Sequence, residues 1–195
     1  IPERLRALRL LWEQHPEMRE QFTFLLVATP SRSEISAYRV VEEEMVRGVL
    51  EINARFRTRT WTPIVLIHEN VSAELLAGVY RAADLCLVSS LQDGMNLVAK
   101  EFVACQIEER GVLVLSRFTG AAEEIDGAVL INPFNIDGFV EGIRRAVNMS
   151  DGERRVRMHR MRAQLRTRTI FDWLTAILTR TEELIAQRAR ETGAA

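Results

Sequence analysis

Residues 92–102 read Gln-Asp-Gly-Met-Asn-Leu-Val-Ala-Lys-Glu-Phe. An acidic residue, a glycine and an asparagine stand directly before an apolar, helix-like run, and that run carries a buried-looking Lys100–Glu101 pair. The first residues of a helix leave backbone N–H groups unbonded and carry partial positive charge, so such a mouth accepts anions, commonly phosphate. Gly94 would let the backbone approach a phosphate closely. Asp93 repels a phosphate; its carboxylate suits sugar hydroxyls, from which it can accept hydrogen bonds in pairs. Glu101 stands further along the helix, roughly 7–8 Å at 1.5 Å per residue. That is a step from a diphosphate to a nucleotide ribose, and a carboxylate accepting from ribose hydroxyls is the usual recognition device. On this reading a nucleotide sugar lies along the helix mouth. The competing reading makes Asp93 an ordinary helix cap and Glu101 a solvated helix residue.

The elements that must hold these residues alternate. Leu5, Leu8 and Trp12 recur at helical spacing between Pro2 and Pro16. Apolar runs of strand length follow at 22–28, 62–67, 84–90, 111–116 and 128–133. Helical patterns separate or follow them at about 33–56, 72–83, 95–106, 120–125 and 136–149, with further helices at 151–166 and 169–191. Ser31 with Glu34 three residues on resembles a capping box. Strands that are apolar throughout, alternating with helices, predict a doubly wound, mostly parallel α/β sheet of Rossmann-like type with helices on both faces. Such sheets bind ligands beyond the carboxyl ends of their strands. The loops of interest are therefore 28–34, 67–72, 89–96, 116–121 and 133–137. A fold of this type normally opens with a central strand, whereas this sequence opens in a helix. The expectation is a first strand missing ahead of Ile1.

Composition bounds the classes. The 195 residues carry 27% charged and 47% hydrophobic residues with a net charge of −1, which suits one globular domain with a sizeable core and argues against a nucleic-acid partner. No apolar run reaches membrane-span length and the opening residues lack a secretory-signal pattern. A cytoplasmic protein with no membrane partner is expected. Cys86 and Cys105 lie in apolar runs and read as buried thiols rather than a disulfide. His15, His68 and His159 are scattered, no Cys/His cluster has zinc spacing, and no metal site is expected.

Arg32 sits in a strand-to-helix loop on the ligand side, where its fork suits a bidentate phosphate contact; a solvated loop arginine is the alternative. The runs at 42–45 and 153–162 read as solvated helix faces. Trp12, Trp61 and Trp173 read as core or interface aromatics. In the 116–122 phrase, Gly120 could close over a ligand, or Thr119 could cap a short helix.

The phrase Asp-Gly-Met-Asn-Leu-Val-Ala-Lys-Glu-Phe-Val-Ala-Cys-Gln (93–106) resembles the signature of the trehalose-6-phosphate synthases, glycosyltransferase family 20, and residues 29–56 and 115–150 resemble the flanking segments of that family. The resemblance covers nearly the whole chain. It implies the C-terminal, donor-binding domain of a two-domain GT-B enzyme, with residues 1–150 as the nucleotide-sugar domain and 151–195 as helices packing on it and toward an N-terminal domain. It implies a retaining transfer of glucose from UDP-glucose to glucose-6-phosphate, giving trehalose-6-phosphate, with no cofactor, no metal and small-molecule partners only; a homo-oligomer stays open. The roles it implies are donor-glucose hydroxyls at Asp93, glucose and diphosphate along the backbone of Gly94, Met95, Asn96 and Leu97, ribose at Glu101, uracil against Val27 and Val71, and acceptor phosphate at Arg32. The family's Arg and Lys that clamp the diphosphate belong to a phrase lying upstream of Ile1. Another family-20 enzyme, such as a glucosylglycerol-phosphate synthase or a pseudoglycosyltransferase, with UDP, ADP or GDP as donor base, and a non-catalytic sugar-nucleotide-binding module are the rival readings.

Overall fold

In the computed structural model, residues 2–29, 36–167 and 169–191 are described. Helix α1 (Pro2–Gln14) leads through a 3-10 turn (Pro16–Met18) into strand β1 (Phe24–Val27), then α2 (Ser36–Phe56), β2 (Ile64–Ile67), α3 (Ala73–Ala82), β3 (Leu85–Val88) and α4 (Leu97–Cys105). The second half continues with β4 (Val112–Ser116), α5 (Ala121–Glu124), β5 (Val129–Ile131), α6 (Ile136–Val147), α7 (Asp151–Thr167) and α8 (Ile170–Glu191). Every predicted element is present, with the strands trimmed by a residue or two at their ends. The Ser31–Glu34 phrase lies outside the described residues.

All strand pairs are parallel, as long apolar strands joined by helices require. They form a two-stranded sheet, β1–β2, and a three-stranded sheet, β3–β4–β5. The single expected sheet is thus divided between β1 and β3, and each of these strands has one edge without a strand partner among the described residues. Arg4 of α1 reaches both strands: its guanidinium lies 6.0 Å from the Phe24 ring, and its Nε donates to Ser89 Oγ at 2.9 Å.

The period of two along β4 sorts its side chains between two cores. Val112 and Val114 face a core built with Leu8, Leu11 and Trp12 of α1, Met45 and Ile52 of α2, and Phe139 and Ile143 of α6. Leu113 and Leu115 face the opposite core, with Phe102 and Val103 of α4, Ala121 of α5, and Met158 and Met161 of α7. The three-stranded sheet therefore has helices on both faces. Among the described residues the two-stranded sheet is covered on one face, and Leu25 and Val65 on the other are exposed. Trp12 and Trp61 are core residues in edge-to-face contact, whereas Trp173 on α8 is exposed.

The 153–162 run is not a plain solvated face. Arg154 donates to the carbonyls of Met149 and Val147, Arg157 to that of Gly127, and Arg162 Nη1 to those of Val103 (3.1 Å) and Ala104 (2.8 Å) at the carboxyl end of α4. Helix ends leave carbonyls unpaired and carry partial negative charge, so arginines are favoured there. Sequence periodicity registered the charges but not their targets, which belong to other elements. In the 42–45 run, Glu43 and Glu44 are exposed, Met45 is buried and Glu42 pairs with His68 at 2.9 Å.

Candidate functional site

The carboxyl end of β3 feeds the 89–96 loop, which ends at the mouth of α4. Asn96 is the N-cap, in left-handed conformation at φ 68°, ψ 86°, and its Oδ1 accepts from the Ala99 N–H at 2.9 Å. Asparagine tolerates that conformation because its short amide can bond locally. Its Nδ2 donates to Asp93 Oδ2 at 2.9 Å and to Ser90 Oγ at 3.3 Å. Asp93 Oδ1 in turn accepts from the N–H groups of Met95 (3.1 Å) and Asn96 (3.0 Å). The turn is therefore folded around its own carboxylate.

This arrangement decides what remains available. Each carboxylate oxygen has about two acceptor directions. Both of those on Oδ1 are used, and Oδ2 accepts from Asn96 with Ser90 beside it, so Asp93 has room for at most one further donor hydroxyl rather than a pair. The Met95 and Asn96 N–H groups are occupied by Asp93, while no acceptor among the described residues meets those of Leu97 and Val98. Space above Gly94 is open among the described residues: a Cβ built there would meet none of them within 4 Å. Partial burial pushes the Asp93 carboxyl up, but the Asn96 amide, the Met95 and Asn96 N–H groups and Ser90 together hold it below its ordinary value.

Glu101 lies one turn into α4 and is exposed, unlike the buried-looking residue its sequence context predicts. Its Oε2 is 3.5 Å from the Tyr80 hydroxyl of α3, a distance at the outer limit for such a bond. Burial first, then Cys86 and Glu101, push the Tyr80 phenol up to about 12, so it stays a donor. Lys100 does not pair with its neighbour; it is half-buried and meets Glu124 at 2.5 Å.

Val27 ends β1 and pairs with Ile67, and Val71 immediately precedes Ser72, the N-cap of α3; both are half-buried and lie at the carboxyl ends of β1 and β2. The topology thus places Val27, Val71 and the Asp93–Leu97 turn on one side of the sheets. Arg32 lies outside the described residues. Cys86 and Cys105 are free and half-buried, and burial pushes the Cys86 thiol up to about 12.

The loop after β4 makes a contribution that neither sequence reading anticipated. Thr119 does not cap α5: its Oγ1 donates to the Ser116 carbonyl at 2.9 Å, and the cap position is Gly120, without a side-chain bond. The loop lies against the Asp93 turn, with Asp93 and Thr119 forming a parallel β-bridge. Ser90, Ser116 and Phe118 also join the turn's support. The signals in the sequence were the Ser89–Ser90 pair past β3 and the Thr119–Gly120 pair past β4.

The chain matches the model of glycosyltransferase family 20 over residues 1–183. It is 36% identical over 173 residues to the UDP-forming alpha,alpha-trehalose-phosphate synthase 56 kDa subunit of Saccharomyces cerevisiae, an alignment covering 89% of this chain and 35% of the yeast protein. Among solved structures, a UDP-forming alpha,alpha-trehalose-phosphate synthase from Burkholderia xenovorans in complex with glucose-6-phosphate superposes with a TM-score of 0.88 at 41% identity, over 93% of this chain and 40% of that one. The trehalose-6-phosphate enzyme from E. coli bound with UDP-2-fluoro glucose superposes at 0.87 with 34% identity, over 91% and 40%. The chain thus spans little more than a third of the length of these relatives and shares their α/β architecture of parallel strands and flanking helices. It belongs to glycosyltransferase family 20.

Proposed function

We propose that this chain is the donor-binding half of a retaining glycosyltransferase that moves glucose from UDP-glucose to glucose-6-phosphate, yielding trehalose-6-phosphate and UDP. The observation that carries the reading is the mouth of α4, where the Asp93 carboxylate is held on its own turn just before the Leu97 and Val98 N–H groups, which meet no acceptor among the described residues. The relatives named above supply the substrate classes: one is bound to glucose-6-phosphate and one to a UDP-glucose analogue.

In this reading the diphosphate lies on the Leu97 and Val98 N–H groups, where the partial positive charge of the helix offsets charge growing on the leaving group. The glucose crosses the open space at Gly94 and gives one hydroxyl to Asp93. Glu101 accepts from the ribose, and the uracil lies near Val27 and Val71. Arg32 takes the acceptor phosphate. Attack comes from the same face that the diphosphate leaves, and the departing phosphate oxygen takes the acceptor's proton. No enzyme nucleophile, cofactor or metal ion is required, and the protein acts by positioning and electrostatic stabilisation. Residues 1–150 form the nucleotide-sugar unit. The exposed Ile170, Phe171, Leu174, Ile177 and Leu178 of α8 face the remainder of the longer polypeptide. A cytoplasmic location fits these substrates.

The test is Asp93→Ala in the intact polypeptide. Turnover is expected to fall at least about 10²-fold, as for loss of a group that positions the reacting centre, with the circular-dichroism spectrum unchanged. Near-normal turnover would remove Asp93 from the site. A panel of UDP-, ADP- and GDP-glucose with phosphorylated acceptors separates this enzyme from its family-20 rivals, and absence of turnover with all of them favours a non-catalytic module.

A further inference from the structure

We propose that Gly120 is a positioning residue for Asp93, acting through the Gly94–Met95 peptide. This inference rests on the donor-site reading above. The β4–α5 loop is bonded along the Asp93 turn: the Asp93 N–H donates to the Phe118 carbonyl at 3.1 Å, the Gly120 N–H to the Asp93 carbonyl at 3.0 Å, and the Ala121 N–H to the Met95 carbonyl at 2.9 Å. The loop is itself held rigidly. Ser116 and Thr119 are buried, Thr119 reaches the Ser116 carbonyl through both its N–H (3.3 Å) and its Oγ1 (2.9 Å), and the Phe118 N–H donates to Ser116 Oγ at 3.2 Å.

Gly120 is not needed for its backbone conformation, which is ordinary right-handed helix at φ −59°, ψ −32°. It is needed for space. A Cβ there would stand 2.2 Å from the Gly94 carbonyl oxygen and 3.0 Å from its carbon. The clash is with backbone, so no rotamer change relieves it. The group displaced is the Gly94–Met95 peptide, whose other end is the Met95 N–H that holds Asp93 Oδ1. Turning that peptide to relieve the carbonyl swings the N–H off the carboxylate and re-aims Asp93. The Leu97 and Val98 N–H groups lie beyond Asn96 and keep their helix, so nucleotide binding and hexose binding separate.

The experiment uses the intact polypeptide and measures UDP and UDP-glucose binding by calorimetry for the parent, Gly120→Ala and Asp93→Ala, with turnover alongside. Gly120→Ala is expected to weaken UDP-glucose about tenfold or more, the order for losing a hydrogen bond to a charged group, while UDP changes less than about threefold, and kcat falls in step with Asp93→Ala. If Asp93→Ala loses hexose affinity and Gly120→Ala keeps it, the proposal is overturned and the site reading stands. If Asp93→Ala keeps both affinity and turnover, the site reading itself fails. Should Gly120→Ala not fold, Thr119→Val decides: it removes the Oγ1 bond without a clash. A selective loss of UDP-glucose affinity of a fewfold supports the proposal, and unchanged or equally weakened binding of both ligands overturns it.

Discussion

Asn96 grips Asp93 from two directions: its Nδ2 donates to Oδ2 at 2.9 Å, and its own backbone N–H donates to Oδ1 at 3.0 Å. The same side chain caps α4 through Ala99. One residue therefore fixes both the helix start and the carboxylate that the proposed donor sugar meets.

Asn96→Asp replaces the amide donor by a second carboxylate beside Asp93. Aspartate still caps a helix, but the like charge costs stability wherever both carboxylates are ionised, so the melting temperature should fall at neutral pH. Like charges in contact raise a carboxyl pKa. The acidic limb of the turnover–pH profile of the intact enzyme should accordingly move to higher pH, with turnover at pH 7 down by about tenfold or more. A profile superimposable on the parent's would show that Asn96 does not govern Asp93.

The pH dependence of stability follows from the depressed Asp93 carboxyl. Because its folded-state pKa lies below its unfolded one, Asp93 contributes stability above the ordinary carboxylate range, lost as pH falls through the folded value. Asp93→Asn should flatten the stability curve below about pH 4. Urea midpoints from pH 2 to 7 check this; an unchanged acid slope contradicts it.

Glu101 is exposed and, among the described residues, makes a long contact to Tyr80. Glu101→Gln should leave thermal stability unaltered, since surface substitutions usually stay within about 0.5 kcal/mol. The KM for UDP-glucose should rise about tenfold with little change in kcat, the signature of lost uniform binding. An unchanged KM would return Glu101 to a solvated helix residue.

Arg162 binds the end of α4 opposite to the Asp93 turn, through the carbonyls of Val103 and Ala104. Arg162→Met keeps much of the aliphatic stem and removes these charge-assisted bonds. A loss of about 1–3 kcal/mol is expected, a fall in melting temperature of about 2–12 °C for a domain of this size, with kcat within about threefold of the parent. A larger kcat effect without destabilisation would give Arg162 a role at the site itself.

The 195 residues on their own span 35% of the yeast relative and 40% of the solved synthases. Expressed alone, they are expected to show no transferase activity and weak UDP binding in calorimetry. Tight stoichiometric UDP binding would show that the α4 mouth needs no help from elsewhere in the polypeptide.

Much of the architecture was legible because its signals are local. Unbroken apolar runs such as Val112–Leu115 mark strands buried on both faces, and Leu5, Leu8 and Trp12 mark a helix stripe. The Asp-Gly-Met-Asn turn announced a helix start, with Asn96 as its cap. Three things were not local. Whether Lys100 pairs with Glu101 or Glu124 depends on where α5 is placed. The targets of Arg154, Arg157 and Arg162 are carbonyls of other elements. The division into two sheets depends on which strand edges meet.

The sequence by itself determined the element order, the parallel strand type and the chemistry available at the α4 mouth, since period and turn composition act over a few residues. Only the tertiary structure decided that Asp93 spends most of its acceptor capacity on its own turn and that Gly120 lies against Gly94. Both depend on distances between loops that follow different strands, and a hydrogen bond or a clash is settled within a few tenths of an ångström, a scale that only the packed chain sets.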